Sequence, residues 1–254
     1  TINTDVKAGV SRDALNYVDT TLAKIGTWGS GNVYSANDVT MPGTVMTKDV
    51  TVQAAVAGIN AFTDASSTGH VITVNNSAAI TTAQSKVGGT SIDVRGNKNF
   101  TVPSHNDWSP SGDFTYEMWI YADGTQDSWP GVAHQYDGSN RGVEIGYDSV
   151  QNWYIEHSSK GGLYSSSGAA SNPITPAHNV WNHMAFVRDG NTGRLYVNGV
   201  QTDTDTTYTS PMNNPSAEIR FGGLHPSTFD HDFDGYLDEI RFSDVCRYPN
   251  GTTF

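Results

Sequence analysis

The chain has 254 residues, of which 16% are charged and 11% are aromatic, and this composition favours an all-β protein with many turns. Its formal net charge of −12 argues against a nucleic-acid partner, because phosphate binding needs a basic surface. The single cysteine, Cys246, excludes an intrachain disulfide. No apolar run reaches the roughly 18–20 residues of a membrane span, so we expect no membrane insertion.

Residues 1–49 are predicted to form an N-terminal arm, distinct in character from a domain at 50–254. Ser11 suits the start of a helix and Gly26 its end, and four apolar residues between them recur at helical spacing. These residues are Leu15, Val18, Leu22 and Ile25. The short helix either lies on the neighbouring domain or forms oligomers through its narrow apolar stripe. Residues 27–43 are predicted to be an irregular linker or docking arm.

From about residue 50 the sequence consists of short strand-like runs separated by Gly, Asn, Asp and Pro. Residues 114–121 alternate between two faces, and residues 183–201 contain three strand-like runs joined by two turns. The second turn is Asn198-Gly199, the dipeptide best suited to the positive φ values of a type I′ hairpin. Further strands are expected at 218–223 and 236–242. Many short strands with frequent turns predict a β-sandwich or barrel.

Four stretches of this domain form an ordered set: residues 62–103, GDFTYEMWIYAD (112–123), VWNHMAFVRDGNTGRLYVNGV (180–200) and FDGYLDEIRFSDVCRY (233–248). Together they resemble the laminin-G-like, concanavalin A-like lectin/glucanase superfamily, in the variant common in bacteriophage and marine bacterial surface proteins. The resemblance covers residues 50–254. It implies an all-β, antiparallel jelly-roll sandwich in which strands from the two ends of the domain lie near each other. A calcium ion often lies at a sandwich edge in such domains.

The run YLDEIRF contains a carboxylate on an apolar face. Alternation places Asp238 on the same face as Tyr236, Ile240 and Phe242. A buried carboxylate must be hydrogen-bonded, ion-paired or bound to a metal, and two interpretations stay open: bonds to backbone N–H groups or an Arg, or calcium ligation. For calcium, the resemblance implies Asp64 beside Asp238, with a backbone carbonyl of Gly69 or His70 as a third ligand. A structural calcium ion is then the expected cofactor.

The sequence predicts no enzymatic activity. The glucanases that the chain resembles carry paired carboxylates on one strand as nucleophile and acid, and no such run is present. Glu144 and Asp148 share a face in VEIGYD, but alternation puts them about 13 Å apart, too far for a retaining pair. Cys246 has neither a helix N-terminus nor an obvious His partner in the sequence, and we expect it to be a small core residue.

Sugar recognition requires an aromatic face for the apolar side of the ring and polar groups for its hydroxyls. The segment TQDSWPGVAHQYDG offers both. We select Asp127, Trp129, His134 and Tyr136 as candidate ligand-binding residues. The alternative for each is packing over the edge of the sandwich.

These features and the resemblance predict a non-enzymatic virion surface protein, a capsid decoration, tail or fibre component, whose lectin-like jelly roll binds host glycans. Its partners would be other virion proteins or copies of itself, contacted through the arm, and glycans of the cell surface. The alternative function is a carbohydrate-binding or adhesin module of a bacterial surface protein, which would be extracellular.

Overall fold

The computed structural model describes residues 62–254 apart from positions 125, 127, 128, 149, 151, 158–160, 165–172, 210, 224–231, 250 and 252. Before residue 62 it describes the backbone of three strands. The chain divides into two compact units, Thr1–Met46 and Thr47–Phe254. Within the described residues, no helix combines the length and apolar character needed to cross a membrane.

The first unit contains a hairpin in which β1 (Lys24–Trp28) pairs with β2 (Gly31–Tyr34). The helix predicted between Ser11 and Gly26 lies outside the described residues up to position 23. The last three positions of this predicted helix lie in β1, so the helix prediction is wrong there. The segment 27–43, predicted to be irregular, contains β2. The cause is local: Ile25 fits a helical stripe, but the Thr, Trp, Val and Tyr residues that follow favour strands.

The second unit is built from strands alone, apart from a short 3₁₀ helix at Asn106–Trp108, as far as the described residues extend. Its strands are β3 (Val50–Gln53), β4 (Thr63–Asp64), β5 (Thr73–Asn75), β6 (Ala79–Thr81), β7 (Ser91–Asp93), β8 (Asn99–Val102), β9 (Phe114–Ala122), β10 (Gly131–Tyr136), β11 (Arg141–Tyr147), β12 (Trp153–His157), β13 (Gly161–Tyr164), β14 (Trp181–Asp189), β15 (Thr192–Val197), β16 (Val200–Asp205), β17 (Ile219–Phe221) and β18 (Gly235–Ser243).

These strands form two antiparallel sheets. The front sheet has the order β13-β12-β11-β10-β17-β8-β5, and the back sheet has the order β16-β15-β14-β9-β18-β3-β4. β7 pairs with β18 and with β6 beside this path. β3, early in the domain, and β18, near its end, are neighbours, with Val52 opposite Ile240. The predicted antiparallel jelly-roll sandwich is therefore confirmed, whereas the boundary at residue 50 and the docking or oligomerising role of residues 1–49 stay predictions.

The main core lies between the inner faces of the two sheets. The alternating face predicted for β9 is buried: Phe114, Tyr116, Met118 and Ile120. From the front sheet, Val143, Ile145 and Tyr147 of β11 join the same core. Full burial of one such side chain contributes roughly 1.5–3 kcal/mol. Because strand side chains alternate between faces, the residues between them in the front sheet point away from the core.

Cys246 does not lie in this main core. It is half-buried and packs against a separate cluster of Ala185, Val187 and Tyr196. Ala185 and Val187 alternate with the core residues Met184 and Phe186 in β14, so this cluster covers the outer face of the back sheet.

Candidate functional site

Polar side chains form a row across the outer face of the front sheet. Strand register sets five residues side by side on five strands, in the order Thr101, Arg220, His134, Glu144 and Glu156. We call these five residues the polar row. Their neighbours along the strands, such as Phe221 and Val143, belong to the core. The polar row therefore faces outward.

Glu144 is the centre of the contacts in the polar row. One of its oxygens, Oε2, lies 3.0 Å from Arg141 Nε and 3.3 Å from His134 Nε2. The other, Oε1, accepts a hydrogen bond from the hydroxyl of Tyr154 on the adjacent strand. Arg141 also donates to Glu156 Oε2 over 2.8 Å. The arginine thus bridges the two carboxylates that face each other across β11 and β12.

The charge state of this cluster follows from its contacts. Burial by itself would raise the pKa of Glu144, but the hydrogen bond and charge of His134, the Tyr154 hydroxyl and Arg141 together lower that pKa below its ordinary value. Burial, followed by the Glu144 charge, raises the pKa of Tyr154 far above its usual range. At neutral pH the carboxylate is therefore ionised and the Tyr154 hydroxyl keeps its proton, which is the state in which this hydrogen bond is strongest.

A glycine makes room for Tyr154 beside Glu144. A Cβ atom added at Gly146 would lie 2.5 Å from the carbonyl oxygen of Pro130 and 3.1 Å from the Tyr154 hydroxyl. Gly146 shares the outer face with Glu144, two positions away, and stands opposite Tyr154 in the register. The absence of a side chain at 146 therefore lets the Tyr154 hydroxyl reach the carboxylate.

Trp129 stands next to this cluster with an exposed ring. It adopts a left-handed backbone conformation, with φ of +62°, which is uncommon for a bulky residue. Its ring centroid lies 5.4 Å from that of Tyr154 in an edge-to-face arrangement, and 40% of the residue remains exposed. Backbone strain at a bulky residue supports a hypothesis of function at Trp129.

The structure brings part of the predicted ligand-binding set together. Trp129 contacts Tyr154, and His134 is a buried member of the polar row. The Tyr136 ring lies 5.9 Å from the His134 ring, and its hydroxyl donates to the carbonyl of Gly138. Asp127 lies outside the described residues. The role of these residues in binding stays a prediction.

Sequence reasoning missed the cluster around Glu144. It considered Glu144 only as a catalytic partner of Asp148. In the structure, Asp148 closes the turn after β11: it accepts hydrogen bonds from the backbone N–H groups of residues 150 and 152, each over 2.9 Å. One signal was available in the sequence: glycine lies two positions before and two positions after Glu144. Glycine on the same face of a strand marks a place where other groups approach closely.

The carboxylates predicted to bind calcium are already occupied by hydrogen-bond donors. Asp64 accepts from the N–H and hydroxyl of Ser66 and from the N–H and Nδ1 of His70, over 2.7–2.8 Å. Asp238 accepts from the N–H groups of Lys86, Val87 and Glu239, each over 2.9 Å.

Of the two interpretations of Asp238, these contacts match hydrogen bonding to backbone N–H groups. Burial raises the pKa of Asp238 despite those bonds. Asp64 and Asp238 also bind different loops, and the N–H of Gly69 donates to the Ser66 hydroxyl. Hydrogen bonds account for the Asp64 and Asp238 carboxylates, and the calcium site stays a prediction.

A family profile described as the concanavalin A-like lectin/glucanases superfamily matches residues 94–250. No curated protein matches the sequence. Among solved structures, the chain is similar to the binding domain of Paraclostridial Mosquitocidal Protein 1 (15% identity, TM-score 0.59) and to domain 4 of AbnA, a GH43 extracellular arabinanase from Geobacillus stearothermophilus, in complex with arabinotriose (16%, 0.56). It is also similar to the binding domain of botulinum neurotoxin DC in complex with SialylT (13%, 0.58).

These similarities concern the fold. Each alignment covers 80% of this chain. It covers 94% of the arabinanase domain but 49% of each toxin domain, so the chain spans about half the length of the toxin binding domains.

Proposed function

This chain belongs to the concanavalin A-like lectin/glucanases superfamily, and we propose that it is a non-enzymatic carbohydrate-binding domain whose ligand lies over the polar row beside Trp129. The proposal depends on one observation: the exposed ring of Trp129 lies next to charged side chains that hold each other in position, with Arg141 bonded to both Glu144 and Glu156. Preorganised groups lose little conformational entropy when a ligand binds.

The chemistry of these side chains suits a sugar. A sugar ring has an apolar face that packs on an aromatic side chain, and hydroxyls at its edge that need donors and acceptors. The Trp129 ring supplies the first. Arg141, Glu156 and Arg220, whose side chains are 41%, 25% and 18% exposed, supply the second. The solved structures of similar fold that hold arabinotriose or SialylT support the same class of ligand.

The electrostatics argue against glycoside hydrolysis. Glu144 and Glu156 stand directly opposite each other on the adjacent strands β11 and β12, and this is the spacing at which a retaining pair could form. Such a pair needs one carboxylic acid with a raised pKa to protonate the leaving group. The pKa of Glu144 is lowered, and Arg141 contacts both carboxylates. Glu144 therefore does not supply the acid, and two carboxylates bridged by a guanidinium suit the binding of hydroxyls.

The setting that we propose is the virion surface, with the surface of a bacterial cell as the alternative. The resemblance to phage and bacterial surface proteins supports both, and the separate first unit, Thr1–Met46, suits attachment to other virion proteins or to further copies of the chain. Electron microscopy of the purified chain tests the setting. Symmetric particles or filaments with many copies are expected for a virion component, and a monodisperse monomer that binds glycans favours the bacterial module.

The glycan proposal is tested with the untagged wild-type chain on a glycan array that includes arabino-oligosaccharides and sialylated glycans. Binding to a defined class is expected, and Arg141→Ala should abolish the signal because Arg141 is the exposed end of the cluster. Arg95→Ala is a matched control, since Arg95 is 39% exposed and pairs with Asp93 away from the polar row. The proposal is wrong if no glycan binds, if both variants lose binding equally, or if the wild type hydrolyses the glycans that it binds.

A further inference from the structure

A second cluster of ligand-type side chains lies in loops outside the polar row. Of the side chains that the structure describes, His70, His105 and Asp107 bring one potential metal-ligand atom each within 4.8 Å of one another. His70 follows β4, and His105 and Asp107 lie at the start of the short 3₁₀ helix. The closest recorded pairs are His70 Nε2 to Asp107 Oδ2 at 3.5 Å and His105 Nδ1 to Asp107 Oδ1 at 3.1 Å.

His70 carries the strongest indication of a ligand. Its side chain is only 6% exposed, and its Nδ1 lies 2.8 Å from Asp64 Oδ2, which fixes the orientation of the ring. The opposite nitrogen, Nε2, is buried and has no hydrogen-bond partner among the described residues. Burying a polar atom without a hydrogen-bond partner costs free energy, so such an atom calls for an explanation, and a bound ion is one.

The arrangement of Asp64 and His70 is the one that metal-binding histidines use. A ligating imidazole typically gives its second ring nitrogen to a carboxylate, which selects the tautomer with a free lone pair on the metal side. Here His70 Nδ1 faces Asp64 Oδ2, and Nε2 faces Asp107 Oδ2 at 3.5 Å. In a tetrahedral zinc site with bonds of about 2.0–2.1 Å, neighbouring ligand atoms are roughly 3.3 Å apart, and His70 Nε2 lies 3.5 Å from Asp107 Oδ2. His105 Nδ1 lies 3.1 Å from the other oxygen, Oδ1, and accepts a hydrogen bond from the Asp107 N–H that zinc would replace.

We propose that His70, His105 and Asp107 bind a zinc ion, with Asp64 as the residue that orients His70. Two imidazoles and one carboxylate suit zinc and exclude a preference for calcium, which takes oxygen ligands. Three protein ligands leave a fourth position for water. Asp107 also lines a cavity of about 460 Å³ from which that water can enter. This zinc site uses the ring of His70 and is distinct from the calcium site predicted with Asp238.

The ion would join two loops that lie far apart in sequence. His70 and His105 are 35 positions apart, and Asp107 is at present held to the first loop by a hydrogen bond from the Thr68 hydroxyl over 3.0 Å. The His70 ring lies 4.8 Å from the ring of Trp108, which is buried in the core. Zinc would therefore fix both loops against the sandwich, and stability should depend on its concentration.

The experiment uses the full untagged chain, stripped with a chelator and dialysed, and measures zinc binding by isothermal titration calorimetry. One zinc ion per chain is expected, with calcium giving no comparable heat. Cobalt should bind in its place and give the visible d–d bands of a tetrahedral site. His105→Gln should weaken zinc binding at least tenfold and remove these bands, and the 45% exposed side chain of His105 makes this substitution compatible with folding.

Two further variants separate a site from nonspecific binding. Asp64→Asn should weaken zinc about 10–100-fold while the cobalt bands persist at saturating metal, because Asp64 orients a ligand without being one. His178→Gln, at a half-buried histidine outside the cluster, should bind zinc as the wild type does. The proposal is overturned if the wild type binds no zinc, if calcium binds equally well, or if His105→Gln and His178→Gln bind alike. None of these outcomes depends on glycan binding.

Discussion

Removing the Trp129 ring is the sharpest perturbation of the proposed glycan site. The residue is 40% exposed, which for a Trp side chain of at most about 250 Å² corresponds to roughly 100 Å². A sugar ring covers one face, about half of that area. At roughly 25 cal/mol per Å² the contact contributes about 1.2 kcal/mol, so Trp129→Ala should raise Kd roughly tenfold.

The assay is calorimetry or biolayer interferometry with the best glycan from the array. Because position 129 has a φ of +62°, alanine would keep the backbone strain, whereas Trp129→Gly removes the ring and relieves that strain. Equal losses of affinity in the two variants assign the effect to the ring. A loss in the alanine variant alone assigns it to the backbone and contradicts the reasoning.

A second tryptophan provides the matched control. Trp119 lies on the outer face of the back sheet, where the ammonium group of Lys86 stands 4.0 Å from its ring centroid. Trp119→Ala should leave Kd unchanged. If Trp129→Ala changes Kd by less than twofold, or if Trp119→Ala causes the same loss, the glycan does not lie beside Trp129.

Three further predictions concern the stability of the sandwich. Tyr154→Phe leaves buried Glu144 without its hydroxyl donor and should lower the free energy of unfolding in urea by about 1–3 kcal/mol; an unchanged midpoint would mean that this hydrogen bond contributes nothing. Gly146→Ala should lower Tm because its Cβ would lie 2.5 Å from a carbonyl oxygen, whereas Gly112→Ala, with open space around its Cβ, should not; equal Tm values would contradict the close approach. Burial alone would raise the pKa of Asp93, but hydrogen bonds and charges from neighbouring cations lower it from 3.8 to about 2. Asp93 therefore stabilises the fold above pH 3.8, and this stabilisation is lost as the pH falls through about 2. The advantage of the wild type over Asp93→Asn in urea unfolding should therefore be larger near neutral pH than in strong acid, and a constant difference would refute it.

The sequence predicted those parts of the fold that depend on local pattern. The alternation in 114–121 assigned the core face of β9 correctly, and the Asn198-Gly199 turn lies between β15 and β16, with φ values of +51° and +78°. The two-sheet arrangement came from the family resemblance. Hydrophobic alternation identifies a strand face but contains no information about which strand lies beside it.

The candidate site depended on that missing information. Glu144 and Glu156 are twelve positions apart, and only the register of β11 with β12 sets them opposite each other. Alternation wrongly placed Asp238 on the face of Ile240 and Phe242: the register shifts between Asp238 and Arg241, and Asp238 stands opposite Trp119. Its partners, the N–H groups of Lys86 and Val87, lie about 150 positions away. Neither spacing nor composition could identify which of its two interpretations applied. The same limit applies to His70 and His105, which the loops bring together.

The buried position of Glu144 supports the proposal that the polar row binds a ligand. Replacing a buried ion pair by apolar residues of similar volume is often neutral or stabilising, so a sandwich needs no such group to fold. Glu144 instead restricts three side chains: the His134 ring, the Arg141 guanidinium and the Tyr154 hydroxyl. Arg141 extends from this network to the surface, and Tyr154 supports the exposed ring of Trp129. The proposed binding site would therefore account for a carboxylate at a position where an apolar residue would cost the fold less.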